Sequence, residues 1–494
     1  MQVAGSSTAK IQEGTSPALL STYVLAGIGF GCMIAWDLIG IFSPALSLLS
    51  YESASQSIIL RAVSVAAIAI AYAVCKLQAD WVFEHRTRLA VVATVLSLTV
   101  VLNAVLHQFV DAPDTFALLA WVLFGIGDGV LCIVWCAYLS LIPTRRTGVA
   151  VAGGAAMGTV LFVMAATASP IGVSLGVIAF LPLASLAMLV FLMRQIPSEK
   201  TEAAKTYQKI PALSVRASLS VGAHGTVYGF ISACMCLISP EAAIIVGASG
   251  IASCLGAAIL SYRAPKTDWD NSVVQRLSLP VIVIGLLLMP LLDTTGQIVC
   301  GCLVNNALAF TAVMTWSTVS VENAEFHLHP VARYAARQAP LWVGFLAGTI
   351  VAFVLGVVLS FDQRAESLAT ALLAGIVVVA FSIYGANDTA TKAQLEGLLA
   401  EDSPQPHEPE SAPPALPQAH FHQRCDRVCD RHDLSPREAE IFFLLAKGRN
   451  AKFIQEELCI SSSTVKTHIY RIYRKMNINS QQLLIDAVDA ETKR

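Results

Sequence analysis

Long apolar stretches recur along the first three quarters of the chain, and each is about as long as a membrane-spanning helix. Several, such as 89–106 and 281–292, are apolar on every side, whereas an amphipathic surface helix keeps a polar face. A helix needs about 20 apolar residues to cross the hydrocarbon core of a bilayer. The pattern predicts twelve spans, at 18–42, 56–77, 88–110, 115–141, 147–168, 170–193, 217–238, 240–261, 276–293, 296–320, 338–360 and 364–386.

Glycines cluster inside two of the predicted spans. Span one contains Gly27, Gly29 and Gly31, and span five contains Gly153, Gly154 and Gly158. Glycine weakens a helix in water, but in lipid small residues allow helix backbones to approach each other. We therefore expect these two spans to pack closely against their neighbours.

Few residues are charged, and their distribution indicates an orientation. Only 13% of the 494 residues are charged and 55% are hydrophobic, whereas soluble domains carry about 25% charged residues, which argues against an ordinary soluble enzyme. One set of connections holds fifteen Lys and Arg residues, and the alternate connections hold only Arg364. Because basic connections stay in the cytoplasm, the twelve spans predict that both termini lie there.

The longest basic connection, 194–216, follows span six and divides the spans into six plus six. This arrangement resembles the major facilitator superfamily of transporters. Asp80, Arg86 and Arg88 lie where that superfamily has an Asp-Arg-Gly-Arg signature, although its glycines are absent here. The resemblance implies a bundle in which spans one, four, seven and ten line a central cavity.

Polar residues inside the spans are candidates for that cavity. A charged side chain in lipid costs about 2.5–3.5 kcal/mol on insertion scales, so such residues pair or line a cavity. If Asp37 and Asp128 face the cavity, a cationic ligand would suit them; the alternative is an internal salt bridge with Arg61 that fixes helix packing. The candidate cavity residues are Asp37, Arg61, Asp128, His224, Asn305 and Asn306.

After span twelve the composition changes abruptly. Residues 387–420 are rich in Pro, acidic and small residues, which cannot form a core and predict an extended linker. A helix is then predicted from Ser435, which can act as N-cap, with Pro436 in the first turn and Glu438 completing a capping box. Three further helices are predicted after the potential caps Asn450, Ser461 and Ser480.

The second and third of these helices have the pattern of a helix-turn-helix. On the third helix, apolar residues at helical spacing predict the buried face, namely Val465, Ile469, Ile472 and Met476. A helix in this position can enter the DNA major groove. Residues 434–494 hold ten Lys and Arg against seven acidic residues, and phosphate neutralisation needs such a local excess of positive charge.

The segments Leu434–Glu438, Leu444–Gly448 and Ile460–His468 resemble the LuxR-type helix-turn-helix, and Ile472 and Lys475 continue its pattern. The resemblance implies a four-helix DNA-binding domain that forms a homodimer through its last helix. It also implies that Lys466, Thr467 and Tyr470 face the bases and that Thr464, Arg474 and Lys475 lie near the DNA backbone.

A group of His and Cys residues precedes this domain: His420, His422, Cys425, Cys429 and His432. Four of them share one face of a helix, which would suit zinc, but the spacing matches no known zinc pattern. We favour the alternative that Cys425 and Cys429 are apolar contacts of a lead-in helix. No metal or other cofactor is predicted.

The predicted fold class is all-α: a polytopic membrane bundle of 6+6 spans plus a cytoplasmic four-helix LuxR-type domain. The predicted segments are a tail (1–17), the membrane domain (18–386), the linker (387–420) and the DNA-binding domain (421–494). The prediction is a one-component transcription regulator of the bacterial inner membrane, not an enzyme. Its expected partners are promoter DNA, an unknown small ligand, the lipid membrane, a second copy of the chain and RNA polymerase. The alternative is a transporter with an accessory DNA-binding tail.

Overall fold

The computed structural model describes residues 17–42, 54–107, 114–142, 147–169, 171–196, 215–263, 271–325, 328–360, 362–385, 418–432, 434–447, 454, 458, 462–476, 478, 484 and 487–488. The chain separates into two compact units, Met1–Ser403 and Pro404–Arg494. Almost all of the described residues are helical, and none of them forms a β-strand. The predicted tail, apart from Pro17, and the predicted linker up to residue 417 lie outside the described residues.

The first unit is built from helices connected in sequence. In its described part they are α1 (Pro17–Phe42), α2 (Ala54–Leu77), α3 (Ala79–Glu84), α4 (Arg86–Ser97), α5 (Thr99–Leu106), α6 (Asp114–Leu139), α7 (Thr147–Thr167), α8 (Ile171–Met193), α9 (Val215–Ile238), α10 (Pro240–Ser249), α11 (Ile251–Arg263), α12 (Asn271–Leu288), α13 (Thr294–Glu325), α14 (Pro330–Phe353) and α15 (Gln363–Gly385).

Most of these helices are long and apolar enough to cross a membrane. Eleven stretches of the described chain have this character, and a twelfth, Leu277–Leu291, is apolar but shorter. Two spans are interrupted: α4 and α5 form one span that breaks at Leu98, and α10 and α11 form another that breaks at Gly250. A helix satisfies its own backbone groups, which lipid cannot do. The prediction of a polytopic all-α bundle is confirmed.

Span eleven begins earlier than predicted. The sequence pattern placed it at 338–360, but α14 covers Pro330–Phe353. His329 caps the first turn of this helix through its imidazole, and a proline follows in the first position, so local signals start the helix before the apolar run begins. Arg333 and Arg337, which the charge count assigned to a connection, therefore lie within α14.

Several pairs of spans pack with their backbones almost in contact. A Cβ atom on Gly31 of α1 would lie 2.6 Å from the carbonyl oxygen of Gly154 on α7. A Cβ atom on Gly225 of α9 would overlap the carbonyl group of Leu341 on α14. Only glycine permits this approach, which increases van der Waals contact between helices in lipid. The close packing predicted from the glycines of spans one and five is confirmed, and spans seven and eleven repeat it.

The spans form two halves, α1–α8 and α9–α15. In the first half α1 packs against α7 and α8, and in the second half α9 packs against α14 and α15. The two halves contact each other at two interfaces: α2 packs against α14, and α7 packs against α11. The larger buried apolar cluster of this unit contains side chains from both halves.

The second unit is a small helical domain. Its described helices are α16 (Gln418–Arg431), α17 (Pro436–Ala446) and α18 (Ser462–Met476). Ile454, Leu484 and Val488, which lie in the predicted second and fourth helices, are helical and buried. They share one apolar core with side chains of α16, α17 and α18. This arrangement positions α18 on the surface of the domain.

Candidate DNA-binding face and membrane cavity

The start of α17 has the capping arrangement that the sequence predicts. The hydroxyl of Ser435 accepts a hydrogen bond from the backbone N–H of Glu438, and the carboxylate of Glu438 accepts one from the backbone N–H of Ser435 at 2.9 Å. Two backbone donors at the helix start are thereby satisfied. The capping box fixes the beginning of α17 against the rest of the domain.

One face of α18 is buried and the opposite face is exposed. Val465, Ile472 and Met476 are buried in the domain core, and Ile469 is half-buried, as predicted. Tyr470 is 67% exposed. The other described polar residues on the outer side, Thr467, Arg471 and Arg474, are also exposed. The helix therefore presents hydroxyl and guanidinium groups outward, which are groups that contact DNA bases and phosphates.

The six predicted DNA-contact residues all lie on α18. Lys466 and Thr464 belong to the helix by their backbone, but their side chains lie outside the described part of the structure. Thr467, Tyr470 and Arg474 lie on the exposed side, together with Arg471, which the resemblance did not single out. The assignment of base and phosphate contacts stays a prediction.

Lys475, the sixth of these residues, has a partner inside the domain. Its Nζ atom donates a hydrogen bond of 2.7 Å to Oε2 of Glu438, which is buried. Burial by itself would raise the pKa of Glu438, but the hydrogen bonds from Lys475 and Ser435 outweigh it and hold the pKa below its ordinary value. Lys475 thus connects the end of α18 to the capping box of α17.

The two cysteines of α16 belong to the domain core. Cys425 and Cys429 are buried together with Val428 against α17. Burial raises the pKa of the Cys429 thiol to about 12, so the thiol stays protonated and behaves as an apolar group. This agrees with the interpretation of a lead-in helix that packs on the domain.

A cavity of about 140 Å³ lies inside the membrane unit. Four of the predicted residues line it: Asp37 of α1, Asp128 of α6, His224 of α9 and Asn305 of α13. Asp37 and Asp128 also line a narrower pocket of about 20 Å³ together with Arg61. The structure therefore brings five of the six predicted cavity residues together, whereas Asn306 is absent from the residues that line either space.

The two aspartates contact each other. Their carboxyl groups lie close enough to interact, and Oδ1 of Asp128 has no hydrogen-bond partner among the described residues. The guanidinium of Arg61 donates to the carbonyl oxygen of Ile41 and to Sγ of Cys236. These described contacts of Arg61 tie α2 to α1 and α9 at the narrower pocket.

Asn305 and Asn306 hold the break between α10 and α11. The amide of Asn305 donates to the carbonyl oxygen of Val246 at 2.7 Å and to the hydroxyl of Ser249 at 3.2 Å. The side-chain oxygen of Asn306 accepts a hydrogen bond of 2.9 Å from Ser253. A helix break exposes backbone carbonyls that must find other donors, and Asn305 supplies one of them at the edge of the cavity.

Sequence analysis missed the aromatic walls of the cavity. Tyr rings from α2, α9 and α14 and Trp rings from α13 and α14 line it, namely Tyr72, Tyr228, Tyr334, Trp316 and Trp342. Arg337 and Gln338 of α14 also line it. The available signal was the presence of aromatic residues with a polar edge within otherwise aliphatic spans.

Comparison with known proteins identifies the C-terminal domain. Residues 432–488 match the family described as bacterial regulatory proteins, luxR family. The transcriptional regulatory protein DesR of Bacillus subtilis is 29% identical over 126 residues, and the nitrate/nitrite response regulator NarL of Escherichia coli K12 is 31% identical over 140 residues. Each match covers 24% of this chain, which spans about three fifths of the length of these relatives, 61% and 62%.

The membrane unit has a transporter-like fold. The chain is similar to the human organic anion transporter MFSD10 with a TM-score of 0.55 and 10% identity, over 75% of this chain and 100% of that one. At this identity the likeness concerns the fold alone. Residues 432–488 thus match the luxR-family domain, and the membrane unit is similar in fold to the MFSD10 transporter.

Proposed function

We propose that this protein is a membrane-bound, one-component transcription regulator whose membrane unit senses a small ligand and whose C-terminal domain binds promoter DNA as a dimer. The observation that carries the proposal is the presence, in one chain, of a transporter-like bundle with an internal cavity that contains two aspartates and of a LuxR-family domain with an exposed polar helix. The chain would act without catalysing a reaction, and RNA polymerase is the expected further partner.

The distribution of charge supports a cytoplasmic position of both termini in the inner membrane of a bacterium. Fifteen Lys and Arg residues lie on the basic side of the predicted spans and one on the other side, and DNA is accessible only from the cytoplasm. Two of the fifteen, Arg333 and Arg337, lie in the first two turns of α14, close enough to the helix end to count toward orientation. Reporter fusions at the C-terminus would give cytoplasmic activity only.

A ligand can regulate DNA binding only if it favours one conformation over another. The cavity lies between the two halves, since α1 and α6 belong to the first half and α9, α13 and α14 to the second. A ligand held between the halves would change how they fit together. Association of two membrane units would then raise the effective concentration of two C-terminal domains near one promoter.

Mapping of chromosomal binding sites tests the proposal. The full chain should occupy a small number of promoters, and deletion of residues 418–494 should abolish this occupancy while the membrane unit is still inserted. Arg474→Ala should reduce occupancy at all sites, whereas Arg431→Ala, which removes an equal charge from α16, should leave it unchanged. Occupancy that survives the deletion would contradict the proposal.

A second candidate function is transport by the membrane unit, with the C-terminal domain as an accessory. The internal cavity at the centre of a transporter-like fold favours it. Uptake of a bound ligand into proteoliposomes, lost in Asp37→Asn, would support transport. Binding without uptake would support sensing alone.

A further inference from the structure

The membrane cavity contains a pair of acidic side chains in direct contact. Asp37 and Asp128 come from two different helices, line the same two pockets, and have carboxyl groups close enough to interact. Two carboxylates offer only acceptors, so a hydrogen bond between them requires one proton on the pair. Asp128 lines the cavity and is 3% exposed, and its buried Oδ1 atom has no hydrogen-bond partner among the described residues. The pair therefore includes a buried acceptor that the described residues leave unsatisfied, and buried polar atoms normally have a partner.

The other ionisable groups near Asp37 and Asp128 are divided between the narrower pocket and the larger cavity. Arg61 lines the narrower pocket and is absent from the residues that line the larger cavity. Arg337 enters the larger cavity from α14, within the first turns of that helix. The remaining titratable groups that line the larger cavity are Tyr72, Cys132, His224, Tyr228, Cys254 and Tyr334. At His224, Nδ1 lies 2.9 Å from the carbonyl oxygen of Ser220, so this nitrogen donates a hydrogen bond to the backbone.

The walls of the cavity suit a small apolar or aromatic body that carries a positive charge. Three Tyr and two Trp rings line it, and aromatic faces attract cations, most strongly when water is excluded. Its volume of about 140 Å³ is close to the roughly 150 Å³ of a cavity that accepts a benzene ring. The size therefore admits one ring or a short alkyl chain beside the acidic pair.

We propose that the cavity binds a small organic amine as its ammonium ion, which takes the place of the proton shared by Asp37 and Asp128. This inference rests on the proposed ligand-sensing function and names the ligand class. The ammonium N–H groups donate to the two carboxylates, including Oδ1 of Asp128, and the apolar body lies against the aromatic rings. The displaced proton leaves to water, so one positive charge replaces another and the net charge of the cavity is unchanged.

Binding of three compounds of equal size tests the ligand class. The probes are benzylamine, benzyl alcohol and benzoate, which at neutral pH carry a positive charge, no charge and a negative charge. With the full chain in lipid nanodiscs, calorimetry should show benzylamine binding about tenfold or more tightly than benzyl alcohol, because a charge-assisted hydrogen bond replaces a neutral one. Benzoate should not bind. Equal binding of amine and alcohol, or preference for benzoate, would overturn the inference.

The release of this proton when the ligand binds provides a second, independent test. Titrations of benzylamine in two buffers with different ionisation enthalpies should show about one proton released per ligand, and benzylamine should bind more weakly as the pH falls. Asp37→Asn and Asp128→Asn should both abolish proton release and weaken benzylamine binding at least tenfold. Absence of proton release by the unaltered chain would overturn the exchange mechanism even if one of the variants fails to fold.

Glu366→Gln is the matched control. Glu366 is a buried carboxyl of the same unit, on α15, and it is absent from the residues that line the cavity. This variant should bind benzylamine and release a proton as the unaltered chain does. The proposed regulator function is judged separately by promoter occupancy. If the cavity does not prefer the charged amine, the inference about the ligand class fails and the DNA-binding proposal is unaffected.

Discussion

The ammonium of Lys475 lies 2.7 Å from the carboxylate of Glu438, and this contact joins the last turn of α18 to the first turn of α17. The same carboxylate accepts a hydrogen bond from the backbone N–H of Ser435. One buried acidic side chain therefore fixes both the start of α17 and the end of the helix predicted to enter DNA. The position of α18 therefore depends on this acidic residue as well as on apolar packing.

Loss of the Lys475 ammonium should loosen α18. Lys475→Met keeps the aliphatic stem but leaves the buried carboxylate of Glu438 without its charged donor, and we expect a loss of about 1 kcal/mol of domain stability, because the lysine is partly exposed and its charge is screened. Hydrogen exchange of the backbone amides of α17 and α18 in the full chain would measure it. Arg471→Met, on the exposed side of the same helix, is the control and should not change exchange.

Acid should weaken the same contact. The pKa of Glu438 in the folded domain lies below its ordinary value, so the contact stabilises the domain above the unfolded pKa of about 4.3. That stability is lost as the pH falls below this value toward the folded pKa, because the unfolded chain binds the proton first. Near-ultraviolet circular dichroism between pH 6 and pH 3 should show a transition in the unaltered chain that is reduced in Glu438→Gln. An identical transition in both would contradict this.

The outer face of α18 should divide into base and phosphate contacts. Lys466→Ala should weaken binding to the specific site by about 1–3 kcal/mol with little effect on unrelated DNA. Arg474→Ala should weaken binding to all sequences and reduce the salt dependence of log K by about one unit. Titrations at several salt concentrations would separate the two effects. Arg474 tests phosphate contact more directly than Lys475 does, because Lys475 also supports the fold.

The glycine contacts in the membrane unit provide a matched pair of variants. A Cβ atom on Gly154 would lie 2.6 Å from the carbonyl oxygen of Gly27, whereas one on the neighbouring Gly153 would have nothing within 4 Å. Gly154→Ala should therefore destabilise the unit by about 1–3 kcal/mol through overpacking, and Gly153→Ala should not. Thermal unfolding in detergent, monitored by size-exclusion fluorescence, would compare them.

The break in span eight should depend on Asn305 more than on Asn306. Asn305→Ala would remove two hydrogen bonds, one to the carbonyl of Val246 and one to the hydroxyl of Ser249, and would leave that hydroxyl as the remaining side-chain donor to Val246, at a cost of about 1 kcal/mol. Asn306→Ala removes a hydrogen bond to Ser253, whose hydroxyl can rotate toward another acceptor. We expect the first variant to have the lower melting temperature and the second to be close to the unaltered chain. The reverse order would contradict the assigned role.

Features that depend on neighbouring residues could be predicted from the sequence, and features that depend on distant ones could not. The capping box at Ser435 and the buried face of α18 follow from spacing within one helix, and both are confirmed. The contact of Lys475 with Glu438 joins positions far apart in the chain, so the pattern assigned Lys475 only to DNA. The same reason explains Asp37 and Asp128: the sequence assigned both to the cavity, but nothing in its pattern indicated that the two carboxyl groups are close to each other.

The early start of α14 shows that the first residue of an apolar run is not always the first residue of the helix. The run begins after Arg337, but His329 and the following proline start the helix two turns before it. As a result, Arg337 was counted as a loop charge although it lines the cavity. Polar residues that precede the apolar run can therefore already belong to the first turns of the membrane-spanning helix.

The close backbone contacts at the glycines limit how the helices of the bundle can move relative to each other. Where backbones touch without intervening side chains, as at α1 with α7 and α9 with α14, a helix cannot slide or tilt without steric collision. Each set of six spans is therefore stiff at these contacts, whereas between the two sets α2 and α14 meet through aromatic side chains, among them Tyr72 and Tyr334. A compound that enters between the two sets would act by rocking one rigid body against the other.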